Sequence, residues 1–78
     1  MKHLRSARHR RLVEVIVQAR EAAGLSQRAL AAKLKRSGSF VWKLESQEHR
    51  VDVLEFVDIA RAVDVEPLEL LRRVMEGK

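Results

Sequence analysis

The sequence predicts an all-α domain of five short helices, on three observations. Apolar residues recur at the three- and four-residue spacing of a helix in five separate segments. Residues that start or stop helices fall between those segments: Gly24, Ser26, Ser37 and the Glu66-Pro67 pair. No run of alternating, β-branched residues bounded by turn signals suggests a strand. At 78 residues the chain is expected to be one domain with a modest core, burying about 60% of the surface of its unfolded form.

Residues 1–9 are expected to form a flexible basic arm, and residues 10–78 the folded domain. The first helix is predicted over 10–23, with Leu12, Ile16, Ala19 and Ala23 along one stripe and Val13 and Val17 widening it. Gly24 ends it by accepting a left-handed conformation. The Ser26 hydroxyl suits the cap of a second helix that places Gln27 in its first turn and Leu30, Ala31 and Leu34 on its buried face. A third helix is expected after Ser37 as its cap, with Val41 and Leu44 on its buried face. The polar stretch 46–50 separates it from a fourth helix that buries Val53, Phe56, Val57, Ala60 and Val63. Proline at position 67 is pre-set for the first turn of the fifth helix, which continues through Leu70, Leu71 and Val74.

Composition excludes several classes of function. The absence of cysteine removes disulfide frameworks and thiolate zinc sites. His3, His9 and His49 show no metal-ligand spacing, and no phosphate-binding glycine loop, nucleophile elbow or convergent acid pair is present, so neither catalysis nor a cofactor nor a small-molecule ligand is expected. No apolar run approaches a membrane span or a signal-peptide core, which points to a cytoplasmic protein with no membrane partner.

Charge is divided unevenly along the chain. Residues 1–43 hold eleven Lys or Arg against Glu14 and Glu21, whereas residues 44–78 hold five bases against nine acids. The overall +5 therefore hides a strongly basic half that contains the second and third helices. A polyanion would meet that half. Lys2, Arg5, Arg8, Arg10 and Arg11 can follow phosphates or enter a minor groove from the arm, or serve only to solvate it.

The pair of helices over 26–45, with a tight polar break at Lys35 to Ser37, is a DNA-reading pattern. At ~100° per residue, Gly38, Ser39, Trp42 and Lys43 fall in one arc of about 140°, and Phe40, Val41 and Leu44 in a separate arc of about 100°. The second arc packs on the domain. The first offers two small residues, an indole and an ammonium to something outside, which suits a DNA groove: small residues let the backbone approach, and Lys43 can donate to guanine or phosphate.

These residues resemble the lambda-repressor-like helix-turn-helix domains of the Cro and phage-repressor type, the Xre-like regulators. The likeness runs from about Leu12 to Val74 and is carried by Ser26-Gln27, Leu30-Ala31, Ser39-Phe40-Val41, Lys43-Leu44-Glu45, Arg50, Ile59-Ala60 and Val65. It implies a compact five-helix DNA-binding domain in which residues 37–45 enter the major groove and Gln27, at the start of the second helix, clamps a phosphate. It also implies a two-fold dimer on a pseudo-palindromic site. The sequence departs from the pattern at Gly38, where relatives often carry a long amide, at Trp42, usually a small polar residue, and at Lys35, Gln47 and Asp64, where relatives favour glycine. Those three turns either keep a left-handed backbone, at about 1 kcal/mol each, or adopt another loop geometry.

The expected site is therefore Gly38, Ser39, Trp42 and Lys43 for the major groove, Gln27, Arg28, Lys35, Arg36 and Ser37 for phosphates, and Arg5, Arg8, Arg10 and Arg11 for the arm. Trp42 can meet a thymine methyl or the sugar-phosphate chain, fold back on a neighbouring helix, or contact a protein; Ser39 can bond DNA or cap its own helix. Glu45, acidic in a basic region, is expected to hold a nearby arginine such as Arg50. Val51, Val53, Leu68, Leu71 and Met75 are the expected dimer interface. The function expected is a non-enzymatic regulator of transcription, a repressor acting as a homodimer on double-stranded DNA. The alternative is an antitoxin-like or co-regulator module whose DNA binding is assisted by a protein partner.

Overall fold

The computed structural model describes residues 6–77, which form five helices and no strand. They are α1 (Ala7–Ala22), α2 (Gln27–Lys33), α3 (Phe40–Glu45), α4 (Val53–Ala62) and α5 (Pro67–Glu76). None is long and apolar enough to cross a membrane.

The first helix starts earlier than its charge pattern suggests. Ser6 is its cap, the hydroxyl accepting from the His9 backbone N–H at 3.1 Å, so Ala7 to His9 are helical rather than part of a flexible arm. Lys2, His3 and Arg5 lie outside the described residues. The other starts follow the same chemistry. Ser26 accepts from Ala29 N–H at 3.0 Å, and Glu66 caps α5 ahead of Pro67. Asp52 and Glu55 form a reciprocal capping box at α4, each side chain accepting from the other's backbone N–H, at 2.7 and 3.1 Å.

Helices α1 to α4 end in one repeated closure. The residue after the cap is left-handed each time: Gly24 at φ 74°, Lys35 at 58°, Gln47 at 65° and Asp64 at 63°. Its N–H and the next one bond back to carbonyls of the last turn, as in Lys35 to Ala32 at 3.0 Å and Arg36 to Ala31 at 2.9 Å. The three non-glycine turns thus keep the left-handed geometry, because satisfying two orphan carbonyls per helix end outweighs about 1 kcal/mol of backbone strain.

The core gathers Val15, Ile16 and Ala19 of α1, Leu30 and Ala31 of α2, Phe40, Val41 and Leu44 of α3, Ile59, Ala60 and Val63 around the end of α4, and Leu70 of α5. α3 packs on α1 and α2, α2 also meets α4, and α5 closes the bundle against α1 and α4. Two expected core positions lie elsewhere: Ala23 and Val53 are exposed. Val15 and Ile59 take the burial instead, since the helical faces are rotated slightly from those read off the sequence.

Candidate nucleic-acid interface

Helix α3 and the two residues leading into it divide cleanly into two faces. Phe40, Val41 and Leu44 are buried, while Gly38, Ser39, Trp42 and Lys43 are exposed, the indole by 51%. Trp42 therefore does not fold back into the domain. The helix begins at Phe40, whose N–H donates to the Ser37 carbonyl at 3.0 Å. Ser37 is thus two residues too early to be its cap. Ser39 holds that position with helical backbone angles and makes no side-chain capping bond, which leaves its hydroxyl available.

The C-terminal end of α3 is fixed by Glu45. Arg20 of α1 donates to it twice, Nε to Oε2 at 2.6 Å and Nη2 to Oε1 at 3.1 Å. Arg20 Nη1 also donates to the Leu25 carbonyl at 2.8 Å, and Gln27 Nε2 donates to Glu45 Oε1 at 2.8 Å. The two charged side chains are nearly dry, 11% and 9% exposed. The hydrogen bonds to Glu45 push the Arg20 guanidinium above its ordinary value against the opposing pull of burial, and the Glu45 and Glu21 charges add to the rise. Arg50, the partner expected from proximity in sequence, is not the one used. The helical stripes explain why: Arg20 lies four residues after Ile16 and Glu45 four after Val41, so both extend buried faces that meet.

A second polar cluster holds the N-terminal end. The Arg36 guanidinium lies 3.9 Å from the centre of the Phe40 ring and Nη1 reaches Glu55 Oε2 at 3.2 Å. His49 meets Phe40 edge to face, centroids 5.1 Å apart, and its Nε2 lies 2.9 Å from Glu55 Oε1. Burial pushes the Glu55 carboxyl up, but hydrogen bonds from His49, the Asp52 backbone and Arg36 together outweigh it and hold the group below its ordinary value. Arg36, expected to flank a phosphate track, also joins the turn to α4. Sequence reading missed Arg20, Asp52, Glu55 and His49 as positioning residues; the Asp-x-x-Glu spacing at 52–55 was the available signal for two of them.

The remaining basic residues fall in separate places. Arg28, Lys35 and Lys43 are exposed near the two helices of the pair, and Lys33 Nζ donates to the Ala62 carbonyl at 2.8 Å. Arg11 Nη2 donates to the Arg73 carbonyl at 3.0 Å, fastening α1 to α5. Arg8 and Arg11 line a groove with Leu71, Val74 and Met75, while Arg10 borders the surface between α1 and the end of α3, beside Glu45 and Gln47. Val53, Leu68, Leu71 and Met75 are exposed, as is Leu54, whereas Val51 packs against the chain's own core.

Among solved structures the chain is similar to an XRE-family like protein from Pseudomonas syringae pv. tomato str. DC3000. The two are 41% identical over 97% of this chain and 95% of that one, with a TM-score of 0.85. No protein-family model matches, and neither does a curated protein. The five-helix architecture, with α2 and α3 as its helix-turn-helix, is shared with that structure, and the fold is one of DNA-binding regulators rather than of enzymes.

Proposed function

The chain belongs to the XRE family, and from that premise we propose that it is a sequence-specific DNA-binding regulator of transcription, acting in the cytoplasm as a homodimer on a pseudo-palindromic site and repressing by occupying promoter DNA. The observation that carries this reading is the outer face of α3. It exposes an indole and an ammonium side by side, while both ends of the helix are pinned to other helices. A half-exposed tryptophan held on a fixed helix offers an apolar surface to a partner, and a DNA groove offers apolar methyl groups and acceptors.

The roles follow from position. Ser39, Trp42 and Lys43 meet base edges, and the absence of a side chain at Gly38 lets the backbone approach. Gln27 keeps one amide hydrogen beyond the bond to Glu45, so it can still donate to a phosphate, flanked by Lys35 and Ser37. The exposed Val53, Leu54, Leu68, Leu71 and Met75 supply apolar surface for the second copy. The groove-facing helices of such a dimer lie about 34–36 Å apart, one turn of DNA.

Selection of bound duplexes from a random pool, followed by titration at physiological salt, tests the reading. A preference of about 10³ or more over random DNA is expected; one below about tenfold overturns it. Equilibrium sedimentation with and without the selected duplex tests the dimer. The same exposed apolar residues favour a second reading, a module completed by another protein. That reading gains if sequence preference emerges only when a partner protein is added.

A further inference from the structure

We infer that Arg28 of α2 reads a guanine in the major groove, at the place that the missing side chain of Gly38 leaves open. The inference rests on the DNA-reading role proposed above and assigns it a base and a donor.

Gly38 precedes α3, exposed and without a side chain. A Cβ would fit there without a clash, and the neighbour it would meet is Arg28. A Cβ built on Gly38 would stand 3.7 Å from Arg28 Nη2 and 3.8 Å from both Cζ and Nε. Three bonded atoms of a planar group at nearly equal distance from one point place that point above the plane, so the guanidinium turns its face toward the open space at Gly38. Its edge carries the N–H donors.

Nothing among the described residues holds that edge. Arg28 makes no hydrogen bond or ion pair there, in contrast to Arg20 and Arg36, whose guanidinium groups are committed to Glu45 and Glu55. Gln27, its neighbour, has given one amide hydrogen to Glu45. The site therefore presents an unbonded planar fork next to the open space at Gly38, at the entry to the helix that exposes Trp42 and Lys43. An arginine edge donates in parallel to O6 and N7 of guanine, the one base that offers two acceptors side by side in the major groove. A phosphate would also accept it, but a phosphate contact carries no base preference. That difference makes the two separable.

The wild-type protein, Arg28→Ala and Arg28→Lys are titrated against the selected duplex and against duplexes changed one base pair at a time, across a salt series. Arg28→Ala should lose discrimination at one G·C pair in each half-site by about tenfold or more, with preferences elsewhere kept. Arg28→Lys retains the charge and a helix-forming side chain, so it should keep the salt slope while losing most of that discrimination. Uniform weakening on every sequence, with all base preferences kept and the salt slope reduced by about 0.9 per arginine, would instead mark a phosphate contact and overturn the inference alone. A wild-type protein without any preferred sequence would overturn the functional reading, and this inference with it.

Discussion

At its C-terminal end α3 is tied to α1 by a nearly dry carboxylate–guanidinium pair, Glu45 with Arg20, reinforced by Gln27 and the Leu25 carbonyl. At its N-terminal end it is tied to α4 by a wetter cluster, in which Arg36 and His49 flank Phe40 and share Glu55, with side chains 43%, 33% and 16% exposed for Arg36, His49 and Glu55. The first is a charge pair that burial makes costly to break; the second is a set of moderate contacts that solvent screens. A helix of six residues has too few internal bonds to hold its own direction. Its outer face is therefore aimed by its two ends, one firm and one yielding.

Breaking the firm end should have the largest effect. Glu45→Ala leaves Arg20 charged and nearly dry and frees Gln27, and should destabilise the domain by about 3 kcal/mol, lowering Tm on the order of 15 °C in thermal unfolding. The raised Arg20 value gives no pH dependence in practice: its contribution is fully present below the ordinary guanidinium value, hence at every working pH.

The yielding end should cost less and respond to acid. Glu55→Gln should destabilise by about 1 kcal/mol at neutral pH. Because folding lowers the Glu55 value, its contribution is present above the ordinary 4.5 and is lost as pH falls through the lower folded value. Denaturant melts between pH 6 and pH 3 should show that part of the acid slope in the wild type and not in Glu55→Gln.

Smallest are the turns beyond the two ends. Lys35→Gly and Gln47→Gly should each stabilise by up to about 1 kcal/mol, since glycine carries no penalty at positive φ. Gln47→Gly also removes a buried side-chain oxygen that has no partner. Asp64→Gly, outside α3 and better tolerated as aspartate, should gain only a few tenths of a kcal/mol.

The same contrast marks what could be read from the sequence. Periodicity places all five helices and separates the two faces of α3, because burial follows the 3.6-residue repeat whatever the rest of the chain does. The left-handed turns at Lys35, Gln47 and Asp64 are legible as departures from glycine. The clamps are less so. Glu45 finds a partner 25 residues away, which neighbourhood in sequence cannot supply and only the extended buried stripes of α1 and α3 indicate. His49 sits in a loop with no repeat to place it. Charge density hid the start of α1, since Arg8 and His9 look like a solvated tail until Ser6 is seen to cap the helix.

Trp42 is the only tryptophan, so its fluorescence reports from the outer face of α3 alone. Titrated with the selected duplex at physiological salt, with binding followed independently by anisotropy of labelled DNA, its emission should shift and saturate at one chain per half-site. A scrambled duplex at the same concentration should leave it nearly unchanged. Emission that stays constant while the selected duplex binds would contradict the assignment of this face as the one that meets DNA.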